Sequence, residues 1–231
     1  MYKRSSWTFS KEVSEQFEEH VRQSLPFYDR LQEMIVSLSD YFVSKNGVIY
    51  DLGTATGETI YRLHERHHDK NMHYIGLDSS EAMIKKAKEK NLQIPNAEFI
   101  VAKLEDYQFP SSSSFILSVL TLHFLPIPLR KNLIQNIYKT LDDGGCFILV
   151  EKTYADLPHL QHLYTHMQYD EKLRAGFTNN EILMKEQSLR GVLTPLSIYE
   201  NMKLLSSVGF ETDIFFKHWH FTGFIATKPL S

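Results

Sequence analysis

The feature that most constrains this chain is a series of short apolar runs, separated by helix-length segments, that begins after Gly47 and ends at Glu151. The runs are Val48–Leu52, Tyr74–Leu77, Glu98–Val101, Phe115–Leu120 and Cys146–Val150, and helical periodicity fills Glu58–Arg66, Ser80–Glu89 and Leu129–Leu141 between them. Strands this uniformly apolar are buried on both faces, and strands joined through helices pair in parallel. Two helical stretches come first, from Phe9 to about Lys45, with Pro26 where the second would begin. Their apolar stripes are Val13, Phe17, Val21 and Leu25, then Leu31, Met34, Ile35, Leu38 and Phe42. After Glu151 the alternation breaks. Leu157–Lys172 and Asn180–Arg190 read as two helices of a cap, Ile198–Ser206 as a helix stopped by Gly209, and Glu211–Phe216 with His220–Thr227 as an antiparallel hairpin. The expectation is a single α/β domain with a seven-stranded, mostly parallel sheet and a C-terminal antiparallel hairpin. Its parts are N-terminal helices (9–45), a core (47–152), a helical cap insertion (153–195), and a last helix with the closing hairpin (196–228).

Composition narrows the partners. A chain of 231 residues that is 42% hydrophobic can bury a sizeable core. A net charge of -3 provides no global positive field for a phosphate backbone, which makes nucleic acid an unlikely partner. No stretch approaches the roughly 18 to 20 apolar residues that span a bilayer, so no membrane association and a cytoplasmic location are expected. The single cysteine, Cys146, lies in an apolar run and reads as a buried strand residue.

The strongest local signal is Tyr50-Asp51-Leu52-Gly53-Thr54-Ala55-Thr56-Gly57, a strand running into a turn that opens a helix. Gly53 permits a left-handed turn and close approach of backbone to ligand, Thr56 or Gly57 starts the helix, and Asp51 can meet a cation. A dinucleotide fingerprint would carry glycine where Ala55 stands, and the acid before the first glycine favours a ligand with an amino acid end over a pyrophosphate. The second signal is Ile75-Gly76-Leu77-Asp78-Ser79-Ser80, a strand ending in a carboxylate where a ribose diol would be held. A competing role for Asp78 or Ser79 is to cap the helix near Ser80.

Together these segments resemble the Rossmann-like, class I S-adenosylmethionine-dependent methyltransferase pattern. Across nearly the whole chain the order and spacing are similar to the carboxy-S-adenosylmethionine synthase family. The matching stretches are Gln23-Ser24-Leu25-Pro26-Phe27-Tyr28, Tyr50-Asp51-Leu52-Gly53, His67-His68-Asp69, Ala82-Met83-Ile84, Thr121-Leu122-His123-Phe124-Leu125, Gly144-Gly145, Glu151-Lys152 and Gly209-Phe210. The resemblance implies S-adenosyl-L-methionine as cofactor, with Tyr28 at its methionine end, Gly53, Thr54 and Ala55 lining it, Asp78 and Ser79 on the ribose, and a homodimer. It also aligns Lys103 with an aspartate and Val119 with an asparagine that are cofactor contacts in the family. Leu104 would pack on the adenine, Asp106 would replace the displaced acid, and Lys103 would swing outward. The family's arginine for the extra carboxylate aligns with Leu204. A buried carboxylate without its cation is heavily penalised. The expected reaction is therefore methyl transfer from plain S-adenosylmethionine to a small-molecule acceptor. Three alternatives stand beside it: carboxy-S-adenosylmethionine synthesis for tRNA wobble uridine modification, with prephenate as carboxyl donor; another sulfonium reaction; and a non-catalytic cofactor-binding partner.

In methyl transfer the sulfonium supplies the leaving group, so the protein positions the acceptor and, where needed, removes its proton. Catalytic candidates are His123 and Glu151, at the carboxyl ends of strands, and Tyr154 and His166, in or beside the cap with Tyr164 and Arg174. His64-Glu65-Arg66-His67-His68 satisfies a zinc-protease spacing, yet it falls at a helix C-terminus opposite the cofactor edge, where histidine and arginine suit the macrodipole. No metal site is expected there.

Overall fold

The computed structural model describes residues 17–230. Residues 9–16, expected to begin the first helix, lie outside the described residues. The chain opens with α1 (Phe17–Ser24) and α2 (Tyr28–Ser39), split at Pro26, which lacks the N–H that a helix interior requires. There follow β1 (Val48–Leu52), α3 (Glu58–His67), β2 (His73–Asp78), α4 (Glu81–Lys90), β3 (Ala97–Val101), β4 (Ser113–Val119), a single 3₁₀ turn at Leu122–Phe124 and α5 (Ile127–Thr140). The chain then continues through β5 (Leu141–Lys152), the cap helices α6 (Pro158–Arg174) and α7 (Asn179–Leu189), α8 (Ile198–Ser206), β6 (Glu211–His218) and β7 (Phe221–Thr227).

The seven strands form one sheet in the order β3-β2-β1-β4-β5-β7-β6. The pairs from β3 to β5 are parallel; β7 runs antiparallel to β5 and β6. Expected and observed elements differ mainly at β5, which begins at Leu141 rather than Cys146: Leu141 pairs with Ser113, and the register shifts before Phe115–Cys146. The polar Asp142-Asp143-Gly144-Gly145 segment masks this start, because it reads as a turn. The sheet carries apolar layers on both faces. One joins Ile49, Phe115 and Ile148 to Leu31 and Ile35 of α2. The other joins Tyr50, Ile116 and Phe147 to Ile134 and Ile137 of α5 and Leu205 of α8. Among the described residues no helix is long and apolar enough to cross a membrane.

The strand order reverses between β1 and β4, so the connections leaving their carboxyl ends diverge and open a crevice at that edge. The cap is fastened over it. Arg130 of α5, almost fully buried, donates to the carbonyls of Leu125 (3.0 Å from Nε) and Thr194 (2.7 Å from Nη2), and Thr194 N–H donates to the His123 carbonyl at 2.9 Å. Glu171 of α6 accepts from Trp219 Nε1 at 2.7 Å, tying the cap to the hairpin turn. Thr178 and Ser197 begin α7 and α8 with reciprocal capping boxes.

Replacing Arg130 with methionine keeps much of the volume but removes the charged donors. The expected outcome is a loss of about 3 kcal/mol of stability, from hydrogen bonds to a charged group worth roughly 1.5–3 kcal/mol each, read as a lower urea midpoint.

Candidate functional site

The crevice at the carboxyl edge is a cavity of about 530 Å³, with one wall from the sheet and others from α1 and the cap. The β1 turn builds its floor. The N–H groups of Gly53 and Thr54 both donate to the Leu77 carbonyl, at 2.8 and 2.9 Å, which fastens the turn to β2. Gly53 has φ +82, and a Cβ there would lie 2.1 Å from Thr121 Oγ1, so both conformation and space demand glycine. Ala55 (φ 48) and Leu120 (φ 58) also adopt left-handed backbone and line the cavity, a conformation that costs on the order of 1–3 kcal/mol for a residue with a Cβ.

Two carboxylates face this floor. Asp51 is buried and accepts from Thr54 Oγ1 at 2.8 Å; desolvation, with Asp78 adding repulsion against the Thr54 bond, pushes its pKa up to about 7. Asp78 ends β2 and accepts from Ala55 N–H at 3.1 Å and Ser80 N–H at 2.9 Å. Its pKa is raised by burial against those bonds. The α4 cap itself is the Ser80 hydroxyl, which accepts from Met83 N–H. Each Asp78 oxygen retains a lone pair for a ribose hydroxyl.

Of the residues singled out in the sequence, Tyr28, Asp51, Gly53, Thr54, Ala55, Asp78, Ser79, Lys103, Leu104, Val119 and His123 line the one cavity. Gly57 does not: it begins α3 at φ +76, where a Cβ would meet the Asn91 amide at 2.5 Å, so its role is local packing. Glu151, almost fully buried, stands behind His123 rather than on the wall, with Oε1 3.3 Å from His123 Nδ1. Tyr154 is half exposed outside the cavity, and His166 is exposed on α6 with its Nε2 3.1 Å from His162 Nε2. Neither of these two lines the crevice, where the expectation put them beside an acceptor. Tyr164 and Arg174 also lie off the wall. Glu105, not Asp106, supplies an acid beside Lys103. In the zinc-like segment, His67 Nε2 meets Ser39 Oγ at 2.7 Å and His64 meets the Tyr74 ring edge-on. Cys146 is buried in β5, where burial pushes its thiol up.

The structure changes the meaning of Leu204. It lies on α8, partly buried against the core layer beneath the sheet, and is not on the cavity wall. A leucine there removes no cation from the site. Cations come instead from three residues to which the sequence motifs assign no role in the site: Lys152 at the end of β5, Lys172 on α6 and Lys185 on α7. Burial lowers the pKa of each. Lys172 adds to the effect on Lys152 and Lys185, bringing Lys185 to about 8, while Glu186 offsets part of it for Lys152 and Lys172. In sequence Lys172 and Lys185 look like solvated positions, because α6 and α7 lack a clear apolar stripe. Gln168 of α6 and Phe17, His20 and Val21 of α1 complete that side. Arg22 of α1 donates to Glu58 of α3 at 3.2 Å, and Glu18 accepts from Thr56 Oγ1 at 3.0 Å and pairs with Lys90, holding α1 across the cofactor edge. The cavity thus has an acidic floor suited to a cationic, ribose-bearing ligand and a basic roof suited to an anion.

Comparison with known proteins agrees with this geometry. Residues 49–145 match the model of a family described as a methyltransferase domain. The carboxy-S-adenosyl-L-methionine synthase of Staphylococcus epidermidis is 35% identical over 98% of this chain and 99% of its own length. The protein of the same name from Methylococcus capsulatus is 33% identical over 95% of this chain and 93% of its own. A solved O-methyltransferase family protein from Burkholderia thailandensis superposes with a TM-score of 0.67 at 14% identity, over 96% of this chain and 61% of that one, a likeness of fold. The chain is an enzyme of the S-adenosylmethionine-dependent methyltransferase class, uses S-adenosylmethionine, and belongs to the carboxy-S-adenosyl-L-methionine synthase family.

Proposed function

We propose that this enzyme holds S-adenosylmethionine on Asp51 and Asp78 and acts at its sulfonium methyl with a small carboxylic acid as second substrate, forming carboxy-S-adenosylmethionine. The observation that carries this reading is the convergence of Lys152, Lys172 and Lys185 on one cavity. Ammonium groups lose hydration there and repel one another, and a bound carboxylate relieves both costs. Near full-length likeness to proteins named for that product supports the choice. Three residues of the one cavity support the fit of the cofactor: Asp78 as an acceptor for the ribose hydroxyls, Asp51 as an acid for a cationic end, and Leu104 as an apolar surface for the base. Methyl transfer to the small acid is the second reading. Lys103 and Val119 favour it, because they line the wall where family resemblance puts an aspartate and an asparagine and so alter how the cofactor is gripped.

The protein is also proposed to act as a cytoplasmic homodimer on small molecules, not on nucleic acid. Leu163, Leu173, Leu183 and Met184 expose apolar surface on the cap helices, which supports self-association there. Sedimentation of wild type and of a Leu183→Glu, Met184→Glu variant checks this: a dimer is expected to become a monomer.

S-adenosylmethionine carrying a fully deuterated methyl separates the two reactions. Carboxylation is expected to leave a heavier sulfonium nucleoside that has lost one deuterium. Methyl transfer would give S-adenosylhomocysteine and an acid carrying the whole labelled methyl.

Charge makes two further expectations. Asp51 must be ionised to hold a cation, and its pKa lies near 7 without ligand. S-adenosylmethionine affinity should therefore fall as pH drops below about 7, with proton release on binding seen by calorimetry in buffers of different ionisation enthalpy, and Asp51→Asn should abolish that release. The same raised pKa means that Asp51 favours the unliganded fold below the ordinary aspartate range and loses that contribution as pH rises through about 7. At the roof the sign reverses. Carboxylate binding should weaken as pH rises through about 8, where Lys185 loses its proton, and Lys172→Met should raise KM for the acid about tenfold or more while leaving S-adenosylmethionine affinity within twofold.

A further inference from the structure

His123 stands where the 3₁₀ turn after β4 meets the end of β5, and among the described residues it is the imidazole on the cavity wall from the strand side, with His20 on the α1 side. Its ring is nearly buried, and two groups compete for Nδ1. The backbone N–H of Lys152 lies 3.2 Å away, and Glu151 Oε1 lies 3.3 Å away. One neutral ring cannot serve both. If Nδ1 accepts from Lys152, the Glu151 oxygen, buried in β5, is left without a hydrogen bond. If Nδ1 carries the proton, that oxygen gains its donor and Nε2 keeps a lone pair. A buried carboxylate oxygen is the costlier group to leave unpaired, since a charged acceptor loses more hydration than a backbone N–H. The Arg130 guanidinium on α5 interacts electrostatically with Glu151. Nε2 itself makes no hydrogen bond among the described residues and is not among the sealed polar atoms.

We infer that His123 is the proton acceptor of this site and that Glu151 is its positioning residue, holding the ring as the Nδ1–H tautomer with Nε2 toward the second substrate. This rests on the proposed reaction at the sulfonium methyl, in which one proton must leave in carboxyl transfer, and in methyl transfer when the acceptor atom carries one. In carboxyl transfer, His123 Nε2 takes the proton displaced from the methyl carbon while that carbon's electron pair forms the new bond to the carboxyl carbon. The donor's own bond to that carbon breaks, and its pair stays on the donor remnant. In methyl transfer, Nε2 takes the proton of the attacking acceptor, and the carbon–sulfur pair returns to sulfur. The charged groups facing this exchange are Glu151 and Lys152 on β5, Arg130 on α5, and Lys172 and Lys185 from the cap. Glu151 is the acid among them, with Oε1 3.3 Å from His123 Nδ1. The arrangement follows the general logic by which a buried carboxylate fixes a histidine tautomer in hydrolases, reached here on a different fold.

Two measurements test it. Long-range ¹⁵N-edited NMR on protein labelled at histidine reports the tautomer without any substrate. The His123 resonance is assigned by its absence in His123→Asn or, should that variant not fold, by its proximity to the Phe124 ring, whose centroid lies 4.9 Å away. Nδ1–H is expected in wild type and Nε2–H in Glu151→Gln, where the Lys152 N–H captures Nδ1. The kinetic arm compares kcat against pH. Glu151→Gln and His123→Asn are expected to lower kcat about 10²- to 10³-fold and remove the limb that rises with pH, with S-adenosylmethionine affinity and urea midpoint kept. Finding Nε2–H in the wild type, or turnover within threefold of wild type in either variant, would overturn the inference. Absence of turnover in wild type would count against the proposed reaction and leave the tautomer as the deciding result.

Discussion

The site depends on one constraint: two carboxylates, Asp51 and Asp78, are held in neighbouring parallel strands at the edge where strand order reverses. Parallel pairing sets Asp51 opposite Gly76 and brings the end of β2 level with the β1 turn, so both acids face the same crevice. Asp78 then organises the turn it faces, by accepting the Ala55 and Ser80 N–H groups. Without a cation these acids are poorly solvated and raised in pKa. The unliganded pocket thus stores an electrostatic cost that a positively charged cofactor removes. That cost suits the edge to a positively charged ligand rather than to a pyrophosphate.

A second asymmetry is built above the first. The cap brings three lysines over an acidic floor, and their burial disfavours the charged state, offset in part by Glu186 for Lys152 and Lys172. Each half of the cavity is therefore relieved by the partner that the other half would repel. In the proposed reaction this opposition would order the two ligands without a moving part, with the cation against the sheet and the anion against the cap. It also explains why the cap is fastened so firmly, through Arg130, Thr194 and Glu171, since lysines on a loosely held helix would swing to solvent.

Much of the fold was legible because the strands are apolar on both sides and a doubly covered sheet leaves that mark in any frame. Gly53 and Asp78 were legible for a different reason: a strand ending in a glycine turn or a carboxylate has few structural uses. Glu151 and His123 could be placed at strand ends, but their mutual contact spans β4 to β5 and has no local signature. Lys172 and Lys185 were hidden because an isolated lysine on a polar helix reads the same whether it faces water or a cavity. Leu204 misled for the converse reason. Alignment assigned it the place of a charged ligand contact, while the helix turns it into the core, so a residue's partner in an alignment does not say which way it faces.

The central claim is that one cavity holds a cation on the floor and an anion beneath the cap. The most direct measurement is a crystal structure of the enzyme with S-adenosylmethionine and a small dicarboxylate such as malonate. The ribose is expected on Asp78 and the dicarboxylate within ion-pair distance of at least two of Lys152, Lys172 and Lys185. A cofactor bound elsewhere, or a dicarboxylate absent from the cap while the cofactor is fully occupied, would contradict it.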